Sequence, residues 1–172
     1  MATYSFKQFI PSKPEKYGVK IWRERNQGKQ VVLHMTKGLE TSGRNVITNN
    51  FFTSFDLARE MEKKNLTLLG TIRKNKPELP QELVTTRGRD VYSTKFDYQD
   101  KAILASYCPK KGKIITLLLT MHDSGQISET EKKKPQMIID YNKIMLGVDT
   151  MDKLVRTSTV KRQTEKCPVT VF

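Results

Sequence analysis

Acid is scarce in this chain: 18 Asp and Glu stand against 31 Lys and Arg, a formal net charge of +13. Such an imbalance points to a polyanionic partner, with nucleic acid ahead of a membrane surface. Long apolar runs are missing too. No window approaches a transmembrane span, and Met1–Ile10 lacks the charged-then-apolar order of a signal peptide, so no membrane partner is expected. Cysteine is nearly absent. Cys108 and Cys167 lie far apart without a Cys-x-x-Cys spacing, the usage of reduced thiols in an intracellular protein. The two histidines, His34 and His122, have no ligand spacing between them and are not read as metal ligands. Ser54 and Ser106 lack a base and an oxyanion arrangement, so they read as a cap and a strand residue rather than nucleophiles. Apolar residues make up only 37% of the chain, so its core has to be economical.

What is present suits one domain. A chain of 172 residues can bury roughly 70% of its unfolded surface. Tyr17–Trp22 alternates Val19, Lys20 and Ile21 in the manner of a strand. The polar run Arg23–Lys29 then feeds a helix at Gln30–Leu39, where Val31, Val32, Met35 and Leu39 sit at helical spacing and Gly38 can close it. Asn45–Thr48 is a short β-type run that Asn49 and Asn50 break. Thr53 followed by Asp56 resembles a capping box. It opens a helix from Ser54 to about Lys64 that turns Leu57, Ala58 and Met61 inward. Asn65 ends that helix, and Leu66–Ile72 reads as a buried strand, giving a β-α-β unit with a parallel pair.

Beyond it, Arg73–Arg89 with Pro77 and Pro80 reads as a solvated basic loop. Val91–Phe96, Ile103–Tyr107 and Ile114–Leu119 read as strands, the last two flanking Cys108–Lys113 as a hairpin turn. Asp123–Lys134 is a polar linker. Pro135 suits the first turn of a helix holding Met137, Ile138, Tyr141 and Met145.

The chemistry concentrates in Lys134–Arg156. Asp149 and Asp152 follow Gly147 closely, and a helix starting there sets both carboxylates on one face. Met151, Leu154 and Val155 then form its buried stripe. Two carboxylates so placed either hold a divalent metal or form a solvated acidic first turn favoured by the helix dipole. The spacing alone leaves both open. Arg73, Lys74, Lys76, Lys110, Lys111 and Lys113, together with Arg87, Arg89 and Lys132–Lys134, are candidates for phosphate contacts or plain solvated charge. Tyr92 and Tyr107 read as strand packing before base stacking.

Several stretches follow one order: KYGVKIW (Lys16–Trp22), GRNVITNNFFTS (Gly43–Ser54) with its helix, LTLLGTIRKNKPELP (Leu66–Pro80), and KKPQMIIDYNKIMLGVDTMDKLVRT (Lys133–Thr157). In that order they resemble the piggyBac transposase and its domesticated relatives. SYCPKKGKIITLLLTMHD (Ser106–Asp123) is similar to the same family's inserted β-region. The resemblance runs through nearly the whole chain. It implies an α/β (mixed α+β) fold, a ribonuclease H-like mixed sheet with flanking helices, incomplete here, plus an inserted antiparallel β-region. The corresponding division is a partial core over residues 1–80, the inserted β-region and linkers over 81–134, and C-terminal helices over 135–172.

In that family acidic residues bind two Mg²⁺ ions, which activate a water or a 3′-hydroxyl and stabilise the leaving oxygen on phosphate. Carried over residue by residue, the Asp of GVDxxD is Asp149, with Asp152 as its accompanying acid. The second acid, which opens a DNFFTS-type sequence, is here Asn49, whose amide brings no charge. The first acid has no counterpart: the chain begins at MATYSFKQFIP, and RERNQGK stands where relatives place another strand. TEKCPVTVF resembles the family's tryptophan-proline junction with Cys167 in place of the Trp, and the family's N-terminal region and cysteine-rich zinc-binding tail have no counterpart either. The resemblance therefore implies a DDE transposase domain truncated at both ends, internally shortened and without activity. Its ancestral cofactor is Mg²⁺, with none expected now, and Asp149 and Asp152 are the remnant of the metal site. The expected partner is DNA, bound through its backbone without sequence preference, in the nucleus, with the oligomeric state unset. The alternative is a protein-interaction remnant or a decayed transposon product with no selected function.

Overall fold

The computed structural model describes residues 27–121 and 125–158, the side chain of Arg156 excepted, together with the strand backbones 7–9 and 17–19. His122, Cys167 and the end of the expected Tyr17–Trp22 strand lie outside the described residues. Strands β1 (Lys7–Phe9) and β2 (Tyr17–Val19) pair antiparallel as a two-stranded sheet of their own.

Helix α1 (Gln27–Met35) starts earlier than its apolar spacing predicts and turns a different face inward. Val32 is buried, while Val31 and Met35 are 41% and 74% exposed. Only one stripe can meet the neighbouring helix, and Val32, Leu33 and the buried Thr36 supply it. The Thr36 hydroxyl donates to the Val32 carbonyl at 2.8 Å, and Gly38, at φ +87°, allows the chain to leave the helix.

The β-α-β unit forms as expected. β3 (Asn45–Thr48) and β4 (Thr67–Thr71) run parallel, joined by α2 (Phe55–Lys63). The cap of α2 is Ser54, whose Oγ accepts from the Leu57 N–H at 3.1 Å. Thr53 is therefore not the cap, and its hydroxyl turns back to the β3 end. Leu57, Ala58 and Met61 are buried, as their spacing requires, and Asn65, at φ +53°, turns the chain from the end of α2 toward β4.

Residues 73–89 are not the solvated loop that their charge suggests. They contain a short helix, α3 (Gln81–Val84), with Leu79 and Leu83 packed into the core. Strand β5 (Thr94–Gln99) begins later than expected, because Tyr92 sits at φ +65°. Strand β6 (Ala102–Lys110) continues through Cys108 and Pro109, which were expected in the turn. A register irregularity between Tyr107 and Lys110 admits the proline, and Lys111–Gly112 alone turns the chain into β7 (Lys113–Leu119).

The five strands form one mixed sheet in the order β3-β4-β7-β6-β5, parallel at β3–β4 and antiparallel elsewhere. The strands of residues 81–134 thus extend the sheet begun by β3 and β4. Leu68, Leu104 and Leu118 face α1, α2 and α3. Leu69, Ala105, Tyr107, Leu117 and Leu119 face the other layer. There α4 (Gln136–Thr157) places Met137 and Ile138 against the sheet. Burial on both faces explains why β6 and β7 read as nearly unbroken apolar runs. No helix among the described residues is long and apolar enough to cross a membrane.

Candidate functional site

Two adjacent parallel strands end side by side, and the carboxyl ends of such strands are where open α/β sheets place ligands. Asn49 follows β3 there, exposed and tied into a tight turn. Its Oδ1 accepts the Phe51 N–H at 2.9 Å. Its own carbonyl accepts the N–H groups of Phe52 and Thr53, each at 3.1 Å, and the Thr53 hydroxyl at 2.8 Å. That hydroxyl also lies 2.8 Å from Thr48 Oγ1, and both threonines are buried. Beneath them is Gly70, the register partner of Thr48. A Cβ at Gly70 would stand 2.6 Å from Thr48 Oγ1 and 2.7 Å from the Thr48 carbonyl, so the turn rests on a strand position without a side chain. The signal was in the sequence: a glycine inside a buried strand marks a close approach.

The loop after β4 closes over this turn. Arg73 Cζ lies 5.5 Å from the centroid of the Phe51 ring, within cation–π range. Phe51 and Phe52 pack edge to face, with ring centroids 4.9 Å apart. Lys74 is exposed and Lys76 half-buried in the same loop.

The hairpin lysines come to this end as well. The Ile72 N–H donates to the Thr116 carbonyl at 2.9 Å, and Thr116 Oγ1 donates to the Ile72 carbonyl at 2.7 Å. The start of β7 therefore lies beside the end of β4. Lys113 is three residues before Thr116, roughly 10 Å along the strand. Lys110, Lys111 and Lys113, all exposed, thus share the sheet end occupied by Asn49, Arg73, Lys74 and Lys76.

Arg89 does not belong to that exposed group. Its guanidinium donates to Ser93 Oγ and the Ser93 carbonyl, each at 3.2 Å. It also donates to Ser106 Oγ at 3.2 Å and to the Ser106 carbonyl at 2.8 Å. Ser106 is fully buried and donates onward to the Leu83 carbonyl. Arg89 therefore fastens the α3 loop to β5 and β6, and charge counting alone missed this use.

Asp149 and Asp152 lie elsewhere in the helix than their spacing suggested. α4 is one continuous helix of 22 residues, so Gly147 starts nothing and neither carboxylate meets a helix N-terminus. Both are exposed. The stripe expected to be buried is open: Met151, Leu154 and Val155 are 57%, 62% and 64% exposed. The physical reason is reach. Met137 and Ile138 cover the sheet, Tyr141 Oη lies 3.3 Å from Thr71 Oγ1, and Asp140, Lys143 and Ile144 line a groove with Asn45 of the edge strand β3. The helix then runs on from that groove with Leu146, Val148, Asp149, Met151, Asp152, Leu154 and Val155 exposed. Among the described residues no group of three His, Cys, Asp or Glu side chains is placed to hold a metal ion. The side chains at hand do not fit a two-metal centre, which needs several anionic oxygen ligands converging on the ions.

A sequence-family model described as Transposase IS4 matches residues 23–172. A cryo-EM structure of the piggyBac transposase, solved as a synaptic complex with hairpin DNA, is similar at a TM-score of 0.77 and 31% sequence identity. The similarity covers 96% of this chain and 40% of that one.

Proposed function

The chain belongs to the piggyBac-type transposase family, and from that premise we propose that it is a transposase-derived domain without cleavage activity that holds the DNA backbone without sequence preference. The family is one of DDE transposases, whose acids hold divalent metal. The inactive reading rests on position 49. An amide stands where the family resemblance puts the second acid, and its oxygen already accepts the Phe51 N–H. A carboxamide supplies no charge to offset a hard divalent ion. Asp149 and Asp152 keep their carboxylates, but on an exposed stretch of α4.

The observation that carries the binding reading is the gathering of Arg73, Lys74, Lys76, Lys110, Lys111 and Lys113 at one end of the sheet through the Ile72–Thr116 hydrogen bonds. A net charge of +13 supplies the long-range attraction, and lysine and arginine contacts to phosphate release counterions whatever the base sequence. The similar solved structure is a transposase held on hairpin DNA, which supports the same partner, and the proposal carries with it a place in the nucleus. This chain spans 40% of that transposase's length, so transposition by the longer protein is not ascribed to it.

The test has two arms. With supercoiled plasmid and Mg²⁺ or Mn²⁺, the full chain is expected to leave no nicks, and Asn49→Asp alone to restore none. Nicking that appears in the parent, or in that variant and vanishes with Asp149→Ala, overturns the inactive reading. Fluorescence anisotropy with two unrelated duplexes is expected to give a Kd of roughly 10⁻⁴ to 10⁻⁶ M for both near physiological salt, with a steep salt dependence. No binding at low salt overturns the DNA reading and favours a protein-interaction remnant, for which the exposed apolar residues of α4 speak.

A further inference from the structure

We propose that Lys132 and Lys133 form a second row of the phosphate-binding surface, beside the hairpin lysines, and that Tyr107 is the residue that positions them. The inference rests on the DNA-binding reading above and adds residues that the charge of the hairpin and the Arg73 loop does not single out.

A lysine run in a polar linker is ordinarily solvated charge without a fixed place. Here the backbone is fixed. The Tyr107 hydroxyl donates to the Lys132 carbonyl at 2.6 Å. The Lys133 N–H donates to the Thr130 carbonyl at 2.8 Å, and the Ser128 N–H to the Lys134 carbonyl at 2.8 Å. An isolated bridge joins Ile127 to Pro135. Lys133 itself sits at φ +41°, a left-handed conformation that a non-glycine residue holds only where its surroundings impose it. Lys132 and Lys133 are nevertheless exposed.

Register decides where this corner lies. Tyr107 pairs with Ile115 of β7, the neighbour of the Thr116 that bonds to Ile72 at the end of β4. The tyrosine ring is buried among the residues facing α4, and its hydroxyl hands the corner over to the sheet end that carries the hairpin tip. The tip is four residues further along β6, roughly 13 Å, a span that two extended lysine side chains bridge toward neighbouring phosphates of one strand.

The distribution of acid sharpens the point. Among the described residues the ion pairs use Lys29, Lys63, Lys64 and Lys101, held by Glu40, Glu60 and Glu62. Lys64 pairs with Glu40 and Lys101 with Glu62, near the opposite end of the sheet, where β3 and β4 begin and β5 turns into β6. None of Lys110, Lys111, Lys113, Lys132, Lys133 or Lys134 is in an ion pair among the described residues. Within the segment 125–135, Glu129 and Glu131 stand against three lysines and leave an excess of positive charge.

The experiment measures binding of the full chain to a fluorescent 20-base-pair duplex across a salt series, with melting to check each variant. Lys132→Ala with Lys133→Ala is expected to shallow the slope of log K against log salt by about 1 to 2, since each phosphate contact contributes about 0.9. Tyr107→Phe keeps the ring and removes the donor, and is expected to weaken binding severalfold. It is expected to add nothing in the Lys132→Ala, Lys133→Ala background, because both changes then act on one corner. A parent chain that binds, loses binding with Arg73→Ala, Lys74→Ala and Lys76→Ala, yet keeps its full slope in the Lys132 and Lys133 variant overturns this inference and leaves the DNA reading standing. Tyr107→Phe effects that add fully in both backgrounds overturn the positioning role. A parent that binds no duplex overturns both readings.

Discussion

Thr48 and Gly70 face each other across the parallel pair β3–β4, and the side chain that Gly70 lacks is the space in which the Thr48–Thr53 hydroxyl pair sits. The Asn49 turn is therefore built on a packing constraint in the neighbouring strand. Gly70→Ala is expected to destabilise the fold by about 1–3 kcal/mol, the range of overpacked cores, seen as a fall of several degrees in the melting midpoint. Thr48→Ala is not expected to rescue it, because the Thr48 carbonyl itself would stand 2.7 Å from the new Cβ. A Gly70→Ala variant that melts with the parent would show that the turn gives way freely.

Arg89 separates structural charge from binding charge. Arg89→Ala takes the charged donor away from the buried Ser106 hydroxyl and carbonyl, and is expected to lower stability by about 2–3 kcal/mol, the scale of charge-assisted bonds. Arg89→Lys should recover little, since one ammonium cannot replace a planar fork that reaches two residues. Once the variant is folded, its salt slope for DNA should match the parent's. A shallower slope with unchanged melting would return Arg89 to the phosphate-contacting group.

How much of this could be read in the sequence depended on how local the cause was. The β-α-β unit was legible because Leu57, Ala58 and Met61 at helical spacing, the breaks at Asn49 and Asn65 and the Leu66–Ile72 run are all local signals. The partner of β7 was not: Ile114–Leu119 announces a buried strand, but nothing in it says that Leu117–Leu119 will lie against Leu69–Thr71. The candidate site divided the same way. Asn49 at the strand end and the basic loop after β4 were visible; that the hairpin lysines share their sheet end follows only from the register at Ile72 and Thr116. Arg89 was misread because charge predicts solvation, whereas burial of Ser106 recruits a donor. Met151, Leu154 and Val155 were misread because an apolar stripe shows what a helix is able to bury, and burial also needs a partner within reach.

Tyr107 gives the fold a pH dependence with a defined sign. Burial, then the neighbouring Tyr92 and Cys108, raise its pKa above the ordinary tyrosine value. Ionisation is thus easier in the unfolded chain, so the contribution is fully present below the unfolded value of about 10 and is lost as pH rises through the folded one. The parent is expected to lose melting temperature above about pH 10 more steeply than Tyr107→Phe. Parallel curves for the two proteins would mean that the hydroxyl titrates alike in both states.

The last half of α4 should behave as a helix held only by itself. Met137 and Ile138 are buried against the sheet, whereas Ile144, Leu146 and Val148 are 49%, 67% and 41% exposed, and Met151, Leu154 and Val155 more than half exposed. Isolated helical segments of about 12 residues are marginal in water, and Gly147 adds roughly 1 kcal/mol against helix relative to alanine. Amide exchange should therefore be fast from Gly147 to Thr157 and slow from Met137 to Tyr141. Gly147→Ala has room, since beyond its chain neighbours and the adjoining helix backbone no described atom lies within 4 Å of the added Cβ, and it is expected to slow exchange through that half without moving the global melt. Ile138→Ala, which empties a packed position, is expected to lower global stability by about 2–5 kcal/mol; Val148→Ser, in solvent, by less than about 0.5 kcal/mol. The contrast between those two substitutions is the decisive measurement. Strong exchange protection across Gly147–Thr157, with a large penalty for Val148→Ser, would mean that another surface covers this half of the helix in solution.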